Sequence, residues 1–309
     1  MRYSRALPAA PLITALLSLG PPLAAPAAAA PTMDTGALTD LSFEELMQVE
    51  VTSASKRKQP LDDVPAAVFV ISRDDLRRSG AGSIPEALRM VPGMQVARLD
   101  GNKWSVSARG FASRFANKLL VLIDGRTVYS PAFSGVYWEQ QHVVMEDVER
   151  IEVIRGPGAT LWGANAVNGV VNIITRDSQK TLGGLALAGA GNENRATATL
   201  RYGARLGSGD AADTTARGYL TYDRHDDLVT RTGHAAGDAW DMAQGGFRLD
   251  SDFASGDWMT VQGDLYHSNL EQQVTLAGLA PPDYMDRYRT AADARGWNLL
   301  GRWQRPLTA

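Results

Sequence analysis

Cysteine is absent from all 309 residues, which excludes a disulfide framework, thiolate metal sites and a cysteine nucleophile together. Histidine is scarce, and His142, His225, His234 and His267 fall in neither an H-E-x-x-H pattern nor any zinc-ligand spacing. No serine stands in a G-x-S-x-G elbow. The expectation is therefore no enzyme, no metal site and no resident cofactor. A net charge of −3 gives no reason to expect a clustered basic face, so nucleic acid is not an expected partner. Also missing is an apolar run of the roughly 20 residues that crosses a bilayer as a helix. The run from Leu12 to Leu19 is too short. It follows Arg2 and Arg5 and precedes the small residues Ala27 to Ala30, which is the pattern of a secretory signal peptide. If the mature protein sits in a membrane, it must do so as strands.

Four zones follow from the texture of the chain. Residues 1–30 are the expected signal peptide and 31–60 a leader. In the leader, Ser42-Phe43-Glu44-Glu45 forms a capping box for one short helix. Val49-Glu50-Val51-Thr52 then alternates as a strand does, and Lys56-Arg57-Lys58-Gln59-Pro60 breaks the pattern toward solvent. Residues 61–180 read as a compact α/β unit. Ala66 to Ile71 is a short apolar strand. Ser72-Arg73-Asp74-Asp75 and Ser83-Ile84-Pro85-Glu86 open two helices, which Gly80 and Pro92-Gly93 close. Extended segments follow at Met94 to Leu99 and Val106 to Arg109. Leu119 to Ile123 runs into the tight turn Asp124-Gly125. Val148 to Ile154 sets Ile151 and Val153 against Arg150 and Glu152, and Val170 to Thr175 is the last strand of the unit.

From about residue 183 the alternation lengthens. Residues 195–206 carry Arg, Thr, Thr, Arg, Gly, Arg at odd positions and Ala, Ala, Leu, Tyr, Ala, Leu at even ones. Later ladders set Leu220 and Tyr222 against Arg217, Thr221 and Asp223, Phe247 and Leu249 against Arg248 and Asp250, and Leu265 against Asp264. Trp297, Leu299 and Trp303 likewise oppose Asn298, Arg302 and Gln304. Strands longer than the usual five or six residues, with one apolar and one polar face, point to an outer-membrane barrel. A soluble β-sandwich alternates too, and stays open on this pattern alone.

The run Arg155-Gly156-Pro157-Gly158-Ala159-Thr160-Leu161-Trp162-Gly163, continuing through Gly169-Val170-Val171-Asn172-Ile173-Ile174-Thr175, is the most specific in the chain. Gly156-Pro157-Gly158 forces a turn directly after a strand. Gly163 and Gly169 admit positive φ or close backbone approach. It is no phosphate loop, because G-x-G-x-x-G and a following Gly-Lys-Ser/Thr are both missing. The run resembles the plug motif of TonB-dependent receptors, with Arg155, Gly156, Pro157, Gly163, Gly169 and Asn172 at its matching positions. Asp63 to Ile71, Ile84 to Met94, Arg109-Gly110-Phe111 and Val121 to Arg126 are similar to further plug segments, in the same order.

That resemblance implies an α+β plug domain, a small mixed sheet with short helices, followed by the start of an antiparallel transmembrane β-barrel. It implies active uptake of a bulky nutrient across the cell outer membrane of a Gram-negative bacterium, a ferric siderophore first and cobalamin second. The expected partners are TonB with its inner-membrane energising complex, outer-membrane lipid and the siderophore or cobalamin ligand. Val49, Glu50, Val51, Thr52 and Ser53 are the candidate TonB box, an extended segment able to add to a sheet edge of TonB. Arg150, Glu152 and Arg155 are candidates for ion pairs that lock the plug to the barrel. The stretches 100–117 and 129–141 read as aromatic loops, and the ligand candidates there are Trp104, Arg114, Phe115, Tyr129, Phe133, Tyr137 and Trp138. The barrel is expected to be incomplete: residues 183–309 suffice for about six spanning strands of about 9–11 residues, against about 22 in a plugged transporter. A truncated or split reading frame would follow, or a plug module that binds TonB without transport.

Overall fold

The computed structural model describes residues 50–51, 59–60, 66–130, 132–209, 212–279 and 284–306. The expected signal peptide, the leader helix and Val49, Thr52 and Ser53 lie outside them. Seventeen strands are present among the described residues: β1 (Glu50–Val51), β2 (Gln59–Pro60), β3 (Val68–Ser72), β4 (Met94–Arg98), β5 (Trp104–Ala108), β6 (Leu119–Ile123), β7 (Arg126–Thr127), β8 (Tyr129–Ser130) and β9 (Gly135–Val136) lead the series. They are followed by β10 (Val148–Ile154), β11 (Gly169–Thr175), β12 (Gly183–Gly189), β13 (Asn194–Ser208), β14 (Ala212–His225), β15 (Trp240–Phe253), β16 (Trp258–Ala277) and β17 (Met285–Gln304).

The plug is built on a mixed five-stranded sheet of order β3-β10-β11-β6-β7, parallel only between β11 and β6. On one face pack α1 (Arg73–Ser79) and α2 (Ile84–Ala87), enclosing Ile71, Leu88, Ile151, Val153, Val171 and Ile173. Ser72 caps α1: its Oγ accepts from the Asp75 amide at 3.1 Å, and its own amide donates to the Asp75 carboxylate at 2.9 Å. Gly80 closes the helix at φ 67°, a left-handed turn that glycine adopts without a Cβ penalty. The Ser83 cap is longer, 3.5 Å to the Glu86 amide, and the Glu86 carboxylate instead takes the Gly82 amide at 2.8 Å. The opposite face of the sheet buries Leu120, Leu122, Ile154 and Val170 beneath α3 (Ala159–Trp162). Sheets covered on both faces need strands that are apolar throughout, and β6, Leu-Leu-Val-Leu-Ile, is buried at every position.

Gly169 explains why the plug motif needs glycine. A Cβ there would lie 2.5 Å from the Ile154 carbonyl oxygen, so β11 closes on β10 only without one. Gly163 serves by conformation instead, at φ 94°.

A six-stranded antiparallel sheet of order β12-β13-β14-β15-β16-β17 follows. It is an open piece of barrel wall, with β12 and β17 as its edges among the described residues. Register aligns the side chains of each face across strands. Leu200, Leu220, Gly245, Leu265 and Trp297 are successive partners, and the four large residues of that row are exposed. One residue along, the row Arg201, Tyr219, Gly246, Asp264 and Asn298 faces the plug. The wall therefore has an apolar outer face and a polar inner one.

The leader departs from its sequence expectation in one respect. Residues 59–60 form an antiparallel pair with 50–51, and Val51 is fully buried, although the sequence suggests a free segment followed by a solvated break. Burying a valine stabilises by about 1.5–3 kcal/mol, which favours seating the side chain over leaving it in water.

Candidate functional site

Two regions join sequence expectation to geometry: the seam between plug and wall, and the ring-bearing loops of the plug. The seam is fastened by buried charge. Asp147, in the 3-10 turn before β10, pairs with Arg201 of β13 and stands 3.8 Å from Arg217 of β14. Those side chains are 3%, 9% and 6% exposed. Arg217 also donates to the Arg176 carbonyl at 2.6 Å and to Thr175 Oγ1 at 3.2 Å. Arg248 of β15 donates to Asp177 at 2.6 Å and to Thr175 Oγ1 at 3.0 Å, and lies 3.9 Å from Asp124. Asp124 itself takes the Thr175 amide at 2.8 Å and Gln262 Nε2 of β16 at 2.9 Å. The arginines belong to the wall and most of the carboxylates to the plug.

Asp124 reaches this position because the β6–β7 turn holds it at φ 49° and Gly125 at φ 81°, the pair of positive values a tight hairpin requires. At the opposite end of the seam, the Gly101 amide donates to Asp238 at 2.7 Å, and Trp240 Nε1 donates to the Gly101 carbonyl at 3.0 Å. Beside the Asp124 and Asp147 fastenings lies a cavity of about 220 Å³ lined by His142, Tyr219, Asp264 and Tyr266 among others. Its walls are polar, so water is its natural filling.

The lock residues expected from sequence are placed otherwise. Arg150 and Glu152 pair with each other at 2.7 Å along β10, since residues two apart share a strand face. Glu152 is fully buried, and its cross-strand partner is the buried Asn172. Arg155 donates to the Pro92 carbonyl at 2.9 Å and accepts at its own carbonyl from Arg109. These three bind parts of the plug together, and Asp124, Asp147, Thr175, Asp177, Arg201, Arg217 and Arg248 make the crossing contacts instead. A signal for the wall half existed: Arg201 and Arg217 occupy the polar positions of long alternating strands, where an unpaired cation would be costly to bury.

The ring candidates divide. Phe115, Phe133 and Tyr137 form a cluster with centroid separations of 5.8, 5.0 and 5.3 Å, within the range of favourable aromatic pairs. Arg114 lies over Phe115 at 4.9 Å and pairs with Glu139 at 2.7 Å. Gly135 allows this docking, because a Cβ there would sit 2.7 Å from the Phe115 Cα. Tyr129 is half-buried in β8. Trp104 and Trp138 are core residues, 8% and 7% exposed. Trp104 lies in β5 rather than a loop, with Arg89 and Arg98 over its ring at 5.2 and 5.7 Å. Large rings beside apolar strands bury more surface than they expose, and this outweighs loop-like sequence. Phe111 is exposed, at φ 59°, a strained value for a non-glycine residue.

The TonB-dependent Receptor Plug Domain family matches residues 60–170, which include β3 to β10, the three helices and the start of β11. The chain carries the plug domain of the TonB-dependent receptors. Relatives of the receptor include the vitamin B12 transporter BtuB of Vibrio vulnificus, 36% identical over 163 residues, covering 50% of this chain and 26% of that protein. The iron-regulated outer membrane virulence protein of Vibrio cholerae serotype O1 is 39% identical over 153 residues, covering 48% and 23%. The receptor chain thus spans about a quarter of the length of these curated relatives. Its fold matches the pyoverdine outer membrane receptor FpvA of Pseudomonas aeruginosa PAO1 bound to pyoverdine, with a TM-score of 0.57, 16% identity and coverage of 90% of this chain and 48% of that one.

Proposed function

We propose that this chain is part of an outer-membrane receptor for active uptake of a bulky nutrient, a ferric siderophore or cobalamin, energised through TonB. The observation that carries this is the plug held by buried charge against the polar face of a wall whose other face is apolar. Such a wall suits lipid outside and a plugged interior. Kinship to a vitamin B12 transporter and to an iron-regulated outer membrane protein supports this nutrient class.

In this reading residues 1–30 direct export through the periplasm. Val49 to Ser53 act as the TonB box. Its described residues, Glu50 and Val51, are extended, the conformation needed to add to a sheet edge, and would leave their pair with residues 59–60 or offer its other edge to TonB. Phe115, Phe133 and Tyr137, with Arg114 beside them, form the platform that meets the ligand, and Tyr129 contributes from the neighbouring strand β8.

The test is uptake of labelled cyanocobalamin and of a labelled ferric siderophore by Gram-negative cells expressing the gene that encodes this chain, with and without TonB. Uptake of one of the two that requires TonB, and that Val51→Pro abolishes, is expected. Uptake unchanged without TonB refutes energised transport. TonB capture without uptake of either would leave a plug module that does not transport.

A further inference from the structure

The ring platform has a charge balance from which its ligand class can be read, an argument that rests on the ligand-contact reading above. Arg114 is the cation that pairs within the platform, and from sequence it looks like a counter-ion for a carboxylate. Its surroundings give it another task. The guanidinium lies 4.9 Å from the Phe115 centroid and 6.0 Å from that of Tyr137, while Nη2 donates to Glu139 at 2.7 Å. The Glu139 side chain is 4% exposed against 34% for Arg114, so the carboxylate lies beneath the guanidinium. An incoming anion would meet a cation whose charge is already balanced by a buried carboxylate, and drawing Arg114 away would leave that carboxylate unpaired, which is strongly unfavourable.

With Arg114 neutralised, what the platform presents is ring surface. Phe133 is 57% exposed and meets Tyr137 edge-on at 90°. Burial, the largest cause, holds the Tyr137 phenol above its ordinary value, so the ring stays neutral at cellular pH. We propose that the platform takes ligands presenting an uncharged, apolar face, and that Arg114 is a positioning residue for Phe115 and Tyr137, not an anion receptor. Arginine suits this task because a planar guanidinium stacks on rings as an ammonium does not.

Equilibrium dialysis of the full chain in detergent tests this with two probes: cyanocobalamin, neutral overall with an uncharged methyl- and amide-bearing rim, and ferric citrate, anionic and without apolar surface. Wild type is expected to retain cyanocobalamin and not ferric citrate. Phe115→Ala with Phe133→Ala weakens cyanocobalamin about tenfold or more, the scale of lost ring contacts. Arg114→Lys weakens it too, although the charge is kept. Glu139→Gln frees the cation and gains ferric citrate binding. Retention of ferric citrate by wild type, abolished by Arg114→Gln, overturns the proposed ligand class and leaves the platform standing. Failure to retain either probe, or retention that the double ring variant leaves untouched, overturns the platform reading and this inference with it.

Discussion

Removing the Asp147 carboxylate isolates the contribution of the seam. The side chain is 3% exposed and pairs with Arg201, 9% exposed, while Arg217, 6% exposed, stands 3.8 Å away. In Asp147→Ala, Arg217 keeps its bonds to the Arg176 carbonyl and Thr175 Oγ1, so its loss is partial. Arg201 is left as a buried cation without its carboxylate. Breaking a buried pair costs about 3–5 kcal/mol, and the retained Arg217 bonds place this variant near the low end, at about 3 kcal/mol. For a unit of this size that lowers Tm by roughly 6–12 °C. Thermal unfolding of the chain in detergent, followed by tryptophan emission, reads it directly. Two controls sharpen the result. Asp147→Ala combined with Arg201→Met should recover much of the loss, because the orphaned charge is gone. Glu149→Ala breaks the pair with Lys180, whose side chain is 51% exposed, and the longer 3.7 Å contact with Arg176, and should cost about 1 kcal/mol. If Asp147→Ala costs no more than Glu149→Ala, or if Arg201→Met gives no recovery, the seam is not fastened by this charge.

Three further outcomes follow from single side chains. Ser72→Ala removes the cap of α1 and should cost about 1 kcal/mol, seen as a lower denaturation midpoint with unchanged m. Gly169→Ala drives a Cβ to 2.5 Å from the Ile154 carbonyl and should cost about 1–3 kcal/mol. Hydrogen exchange would show it as faster exchange in β10 and β11, and unchanged protection there would contradict the close-approach argument. Leu265→Arg places a cation in the exposed apolar row of the wall and should cost about 2–4 kcal/mol if that row lies mid-bilayer. The measurement is the yield of membrane insertion into lipid vesicles, and wild-type yield would deny that this face meets lipid.

The sequence by itself determined the two-part plan. Period-two alternation from residue 195 onward marks which residues share a face of the wall, because a strand sends successive side chains to opposite sides. Ser72 and Gly80 mark the ends of α1, and Asp124-Gly125 marks a hairpin, since caps and turns use local chemistry that a few residues carry. The plug motif was legible for the same reason: Gly163 and Gly169 satisfy needs of the backbone next to them.

What only the tertiary structure decided is which charges meet and which rings are covered. Asp147 meets Arg201 and Arg217 from 54 and 70 positions away along the chain, and no local pattern encodes that pairing. Arg150 and Glu152 looked available to the wall until their strand turned them toward each other. Trp104 and Trp138 share their composition with the platform rings, yet the sheet and helices around them close over the two tryptophans and leave Phe133 in the open. Local sequence fixes backbone conformation and face, whereas burial and ion pairing depend on what the rest of the chain brings to the same point in space.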